Sequence, residues 1–585
     1  MKDFLKFTLA TVVGIIISSV VLFLLAIGTV AGMMSLDEGE TVVKDNTVFC
    51  LDLDGVVAER SVDDPLSFLG VDETMQTYGL DDITSSIKKA AKEEKIKGIY
   101  LTIGTLVAAP ATLEEIRDAL VEFKDSGKFV IAYADNYSQG GYYVASAADE
   151  VLLNPRGAVT WLGMSSQFIS YKGLLDKLGV EMQVFKVGTY KSAVEPFVLD
   201  KMSEANREQV KAFTSSIWNT YLNDISASRD VTIEQLNAAA DRGIAMEQAT
   251  SFVDCGFVDS LAYRNDMTEY LKAKVGIDED DDLETLSLAA MINYHSNVPK
   301  DKSGNIVAVY YAEGDIDDTK AKDRIGARRV IDDLKRLRKD ENVKAVVLRV
   351  NSPGGSAFGS EQIWKEISDI KAEKPVVVSM GGYAASGGYY ISCNADYIFA
   401  QPTTLTGSIG IFGMVPDLGG LYDKVGLSFE TVSTNRFGNV MPLDRPMSED
   451  EKALVQRNVN EGYELFVTRC AEGRKMMPDA IKAIAEGRVW TGEAAKGLGL
   501  VDELGGLDEA IAKAKELAEI EDYTLVSYPA KPSVIDNMLG SLPSVYMSLF
   551  GADEVTRTFD DLRWLYELDE ADPVQARMPF YVDIQ

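Results

Sequence analysis

A serine followed by two glycines stands at Ser386, in the run Ala384-Ala385-Ser386-Gly387-Gly388-Tyr389-Tyr390. That order suits a nucleophile on a sharp turn opening a helix, where glycine lets a substrate backbone approach closely. Upstream, Lys344-Ala-Val-Val-Leu-Arg-Val350 runs into Asn351-Ser-Pro-Gly354-Gly355-Ser356. A glycine pair after a strand exposes backbone N–H groups, so Gly354 and Gly355, with Gly387 beside the serine, are candidates for an oxyanion hole. The serine needs a base, and the chain has one histidine, His295, in a stretch that reads as a loop. A metal site built on several histidines is therefore excluded, and a Ser-His-Asp triad would rest on that one residue. Lysine is the alternative, because an ε-amine buried among apolar groups loses its proton and can act as a general base. Lys191, in Val187-Gly-Thr-Tyr-Lys-Ser192, is the candidate, with Val187, Val194 and Phe197 as its expected apolar pocket.

An internal repeat selects these residues. Asn136-Tyr-Ser-Gln-Gly-Gly-Tyr-Tyr143 returns as Tyr383-Ala-Ala-Ser-Gly-Gly-Tyr-Tyr390, at an offset of 247 residues. Pro155 and Pro402 keep that offset, as do Asp176-Lys-Leu-Gly179 and Asp423-Lys-Val-Gly426. The copies differ where chemistry would sit. Gln139 stands opposite Ser386, Val107 and Ala108 stand opposite Gly354 and Gly355, and Arg436 stands opposite Lys191. Arginine keeps its charge and cannot replace a neutral lysine. The second copy thus keeps a nucleophile without a base, and the first a base without a nucleophile, which implies one site assembled across both. Lys424 is a rival base, but Lys177 mirrors it in the copy without the serine, which marks it as fold. Ser408, in Leu405-Thr-Gly-Ser-Ile-Gly410, is a candidate to orient the amine.

Strand and helix patterns alternate within a copy. Ile306–Tyr311, Val343–Val350 and Pro375–Met380 read as strands, and Asp323–Lys339 and Gly359–Lys371 as helices, predicting an α/β body with a largely parallel sheet. The chain divides as a cytoplasmic end (1–6), a transmembrane anchor (7–34), two repeats (45–295 and 300–525) and an extension (526–585) without an assigned role. No charge occurs from Phe7 to Leu36. Lys2 and Lys6 precede that run and Asp37, Glu38 and Glu40 follow it. The run exceeds the ~20 residues a span needs, and the charge asymmetry places the amino terminus in the cytoplasm and the rest outside.

The 585 residues carry 58 Lys plus Arg against 91 Asp plus Glu, a net charge of −33. Such a balance excludes a protein whose main work is holding nucleic acid. Cys50, Cys255, Cys393 and Cys470 are widely spaced, without a CxxC, so they form no zinc or redox motif, though one disulfide is open to them in an oxidising compartment.

Gly188-Thr-Tyr-Lys-Ser-Ala-Val-Glu-Pro-Phe197, Asn351-Ser-Pro-Gly-Gly355 and Ala385-Ser-Gly-Gly-Tyr-Tyr390 resemble the signature segments of the signal peptide peptidase A family, also called protease IV, in its long duplicated form. The resemblance covers about residues 45–525 and includes an amino-terminal anchor. It implies a crotonase- or Clp-protease-like fold in each repeat, Ser386 as nucleophile, Lys191 as general base and Ser408 as the lysine-orienting hydroxyl. It further implies a homotetrameric bowl on the outer face of the cytoplasmic membrane, acting on remnants of cleaved signal peptides and other hydrophobic peptides. No metal or organic cofactor is needed for that chemistry. Two other readings share parts of this pattern. One is a crotonase-type acyl-CoA enzyme, disfavoured by the anchor and the acidic balance. The other is a catalytically dead, membrane-tethered scaffold.

Overall fold

The computed structural model describes residues 42–61, 75–294, 301–531 and 574–577, with six isolated positions before residue 19. Most of the expected anchor, His295 and most of the extension lie outside the described residues. Among the described residues no helix is long and apolar enough to cross a membrane.

Each repeat builds one sheet. The first contains β1 (Thr47–Ala58), β2 (Gln76–Gly79), β3 (Ile96–Val107), β4 (Phe129–Ala134), β5 (Glu150–Leu153), β7 (Ser260–Leu261) and β8 (Thr285–Ser287), in the order β2-β1-β3-β4-β5-β7, with β8 also on β1. The second contains β9 (Ile306–Glu313), β12 (Val343–Ser352), β14 (Val376–Ala385), β15 (Tyr397–Ala400), β16 (Leu405–Gly407), β18 (Val489–Thr491), β19 (Glu503–Leu504) and β20 (Thr524–Tyr528). Its order is β18-β16-β14-β12-β9-β20, with β15 on β14 and β19 on β15. The central pairings are parallel in both sheets. Val343–Val350 is apolar almost throughout because β12 is covered on both faces. On one side lies the helix Ala357–Lys371, and on the other Ala510, Ile511 and Ala514 of the helix Leu507–Leu517 pack on Val307, Val309 and Val347.

Helix Ala327–Lys339 buries Ala327, Val330, Leu334 and Leu337, a helical spacing of one apolar face. It starts four residues later than the charge pattern predicts, because β11 (Ile325–Gly326) pairs with β10 (Ile316–Asp317) instead. β20 carries the sheet to Tyr528, three residues past the predicted end of the second repeat. The duplication is visible in the helices as well. Glu204–Arg229 and Glu449–Arg474 have 26 residues each and are N-capped by Ser203 and Ser448.

A third sheet joins the repeats, with the order β11-β10-β13-β21-β17-β6. β6 (Glu181–Lys186) comes from the first repeat, and β13 (Gly354–Ser356) and β17 (Phe412–Asp417) from the second. β21 (Val574–Arg577) comes from the extension. β6 and β17 pair antiparallel over six residues, from Phe412↔Lys186 to Asp417↔Glu181. Elsewhere the joint is ionic. The Arg349 guanidinium is buried against Glu59 (2.7 Å), Glu115 (2.6 Å) and the Ser379 hydroxyl (2.8 Å). Two carboxylates from the first repeat thus meet one arginine from the second, and such a charge is tolerated in a core only because it is paired. All four cysteines are free, and Cys393 and Cys470 lie side by side in the second core.

Candidate active site

β14 delivers Ser386. The strand ends at Ala385, the helix Gly387–Ser392 begins one residue later, and Ser386 occupies the turn between them with φ 54° and ψ −112°. A serine held at positive φ is strained, and such strain persists only where the surroundings impose it. Here its N–H donates to the Gly407 carbonyl at 2.8 Å. The glycines that follow are required by space. A Cβ at Gly388 would lie 2.6 Å from the Ser352 carbonyl oxygen, and one at Gly387 would lie 2.7 Å from the Ser360 hydroxyl.

β6 delivers Lys191. Beyond Lys186 the chain turns through Gly188, whose φ of 104° lets it back onto Glu486. The turn is anchored when Tyr190 N–H donates to the Glu486 carbonyl at 3.0 Å. The Gln209 amide then clasps it, donating to the Tyr190 carbonyl (3.0 Å) and the Ser192 hydroxyl (2.9 Å). Glu195 is buried and accepts from Ser203 (2.6 Å) and Asn206 (3.0 Å), which fixes the following turn. The lysine stem passes between glycines. A Cβ at Gly487 would come within 2.6 Å of Lys191 Cβ, and one at Gly410 within 3.3 Å of its Cδ.

The two residues meet across the repeats. Lys191 Nζ lies 2.8 Å from Ser386 Oγ, 3.1 Å from Ser408 Oγ and 3.1 Å from the Ser408 carbonyl oxygen. Lys191, Ser386 and Ser408 are all fully buried. Burial pushes the Lys191 amine well below its ordinary pKa, since the charged form loses its hydration there. Ser408 is also at positive φ (50°), pinned as its N–H donates to the Arg488 carbonyl at 2.7 Å.

The glycine loop closes a third side. Gly354 and Gly355 have φ of 109° and 150°, which only glycine adopts readily. A Cβ at Gly354 would lie 2.8 Å from the Gly387 backbone nitrogen, so these two glycines meet next to the serine. Gly355 backs onto Ile316 of β10.

Not every expected neighbour is present. Val194 is buried nearby, but Phe197 stacks on Tyr171 and belongs to a separate small cluster with Leu175, Val180 and Met182. The close wall around the lysine is made by Gly410 and Gly487 instead. Lys424 is exposed and donates to the Lys177 carbonyl, away from the serine. Gln209, Asn206 and Gly487 escaped the reading of the sequence. Glu195 lies inside the Gly188–Phe197 segment and is buried.

The profile of Peptidase family S49 matches residues 122–278 and 368–521, and that of Clp protease matches 300–405. Protease 4 of Salmonella typhi is 39% identical over 508 residues, covering 84% of this chain and 82% of that one. Protease 4 of Haemophilus influenzae is 36% identical over 525 residues, covering 86% and 84%. Chloroplastic serine protease SPPA of Arabidopsis thaliana is 32% identical over 513 residues, covering 85% and 74%. A ClpP1 mutant from Listeria monocytogenes overlaps 35% of this chain and 94% of its own at 18% identity, with a TM-score of 0.24, too little to bear on the fold. By these matches, the chain belongs to peptidase family S49 and is a serine peptidase with a duplicated S49 domain and a Clp protease-like α/β fold.

Proposed function

We propose that this serine peptidase is a membrane-anchored endopeptidase that works through a Ser386–Lys191 dyad and degrades cleaved signal peptides and other hydrophobic peptides outside the cytoplasmic membrane. The observation that carries the dyad is the 2.8 Å contact between a buried lysine amine and a buried serine hydroxyl. In the mechanism, neutral Lys191 takes the Ser386 proton as Oγ attacks a peptide carbonyl. Backbone N–H groups around Gly354, Gly355 and Gly387 stabilise the oxyanion. The lysine returns the proton to the departing amine, then deprotonates the water that hydrolyses the acyl-enzyme. Ser408 holds the amine in line with Ser386.

The anchor is supported by the uncharged run 7–36, with lysines before it and acids after it. Homotetramer assembly is supported by an asymmetry in the third sheet. β6 pairs with β17 inside the chain, but the segments at the matching repeat positions, 428–433 and 165–170, form no strand and make no such pair. Val425, Leu427, Phe429, Val432, Leu162 and Ile169 around them are exposed. The same pairing between neighbouring copies would cover these edges and close a ring.

The test is labelling by a serine-reactive fluorophosphonate, with casein cleavage alongside. Label on Ser386 that disappears in Ser386→Ala, together with cleavage at least ~10³-fold lower in Ser386→Ala and Lys191→Ala, is the expected result. Cleavage that survives Lys191→Ala overturns the dyad. A folded wild type that neither labels nor cleaves overturns the endopeptidase.

A further inference from the structure

We propose that Gln209 is a positioning residue for the reaction, a single amide that locks the turn carrying Lys191 to the strand behind the two serines and so holds the base in line with the nucleophile. This rests on the Ser386–Lys191 reading above. Gln209 stands on the helix Glu204–Arg229 of the first repeat and is fully buried. Its amide nitrogen reaches three acceptors: the Tyr190 carbonyl at 3.0 Å, the Ser192 hydroxyl at 2.9 Å and Asn206 Oδ1 at 3.1 Å. Two of these acceptors flank Lys191. The amide oxygen faces the other repeat and accepts from Val489 N–H at 3.2 Å. Val489 stands opposite Gly407 in the β16–β18 pairing, and the Gly407 carbonyl accepts from Ser386 N–H. The residue before it, Arg488, accepts from Ser408 N–H. One side chain therefore runs from both flanks of the base to the strand that pins both serines.

The repeats supply a comparison. The matching helix Glu449–Arg474 has the same length and also a serine cap. Six residues beyond their caps, one helix carries Gln209 and the other Leu454. Only the repeat with the lysine has an amide at this place. The Lys191 amine forms no ion pair among the described residues, and the charged groups around its turn bond elsewhere. Lys186 Nζ donates to the Lys191 carbonyl at 3.3 Å, and the Glu486 carboxylate accepts from Thr189 N–H at 3.3 Å. Glu195 accepts from Ser203 and Asn206, and Arg488 pairs with Glu208 at 3.0 Å. The place of the amine thus depends on the backbone of the turn, which Glu486 holds at the Tyr190 N–H and Gln209 holds at the Tyr190 carbonyl.

A buried polar network whose members all bond one another specifies one arrangement, and removing one member loosens the others. Without the Gln209 amide the turn can draw the Lys191 amine away from Ser386 and admit water beside it. The amine then regains hydration and keeps its proton to higher pH. The proton-transfer step slows, while the groove that binds the substrate is untouched.

The test is the pH dependence of kcat/KM for the full chain on a fluorogenic peptide, with Lys191→Ala assayed beside it. Gln209→Leu should lower kcat at neutral pH at least ~10-fold with KM within ~2-fold of wild type, and should move the acidic limb of kcat/KM up by about one pH unit or more. Gln209→Met, which keeps the length of the side chain, should do the same and serves if the leucine variant does not fold. Gln183→Leu is the control. Gln183 is also buried and accepts across the repeats, from Met447 N–H at 2.8 Å, but it makes no hydrogen bond to the Lys191 turn among the described residues. Its acidic limb should stay at the wild-type pH. Wild-type kcat or an unmoved limb in a folded Gln209 variant overturns this inference, and so does an equal shift in Gln183→Leu; in either case a dead Lys191→Ala leaves the dyad standing. Loss of the fold in both Gln209 variants overturns it as well, because the amide would then be holding the fold rather than the base. Cleavage that survives Lys191→Ala overturns the dyad and this inference with it.

Discussion

The two repeats share a fold, and the contrast between them is sharpest at three matched positions. Ser386 is held at positive φ on its turn, whereas Gln139, its counterpart, lies inside the first turn of its helix, which Ser138 N-caps. The Gln139 side chain accepts from Leu162 and Gly163 N–H groups at 3.3 and 3.1 Å, the work of an ordinary loop clasp. Ser408 matches Trp161, as the equivalent pairings Ala384↔Thr406 and Tyr137↔Val159 require. Where one repeat keeps a small hydroxyl against the lysine, the other fills the space with an indole packed on Tyr142, Trp218 and Phe257. Lys191 is fully buried, whereas Arg436 is exposed and pairs with Asp450. The repeat with Gln139 in place of the serine has core where Ser408 stands in the other. The repeat with Arg436 in place of the lysine has that loop at the surface.

Three measurements can break or sharpen this division. Trp161→Ala should lower stability by about 3–5 kcal/mol, because it empties a packed aromatic core. Ser408→Ala should leave stability nearly unchanged and reduce kcat roughly fivefold, about one lost hydrogen bond. Urea melts beside peptide kinetics separate the two, and the reverse pattern would erase the contrast between core and site. Next, Gly354→Ala should cut kcat by about 10²–10³, because a Cβ there, 2.8 Å from the Gly387 nitrogen, pushes the loop and its N–H donors out of place. Val107→Ala, at the exposed matching position, should change stability by no more than about 0.5 kcal/mol and leave kcat alone. Equal rate losses at both positions would mean that the glycine loop has no special role.

The smallest effect concerns pH. Unfolded Lys191 keeps its proton up to about 10.5, whereas the buried amine gives it up well below that. Between those limits the unfolded chain binds the extra proton, so wild-type stability must climb as pH rises. Lys191→Met should therefore be more stable than wild type at pH 7, with the gap closing as pH approaches ~10.5. A Lys191→Met difference that stays constant with pH would indicate an amine that is charged when folded.

Much of this was legible in residue types alone. The repeat offset, the serine–glycine turn and the reciprocal loss of lysine and serine are local patterns, and the structure brings Ser386, Lys191 and Ser408 within hydrogen-bond reach. What escaped depends on approach in space between distant segments. Nothing near Gly487 in sequence says that it backs a lysine almost 300 residues earlier. Phe197 is close to Lys191 in sequence, but the turn at Val194–Glu195 sends it to another cluster. Likewise, β6–β17 and β21 owe their pairing to partners in other parts of the chain, and a helical charge pattern could not show that Ile325–Gly326 would be claimed by a strand.

Because β6 leads into Lys191 and pairs with β17 of the second repeat, the contact between Lys191 and Ser386, 195 residues apart in sequence, exists only when the two repeats are docked. A chain that stops before Ser386 holds the amine without the hydroxyl.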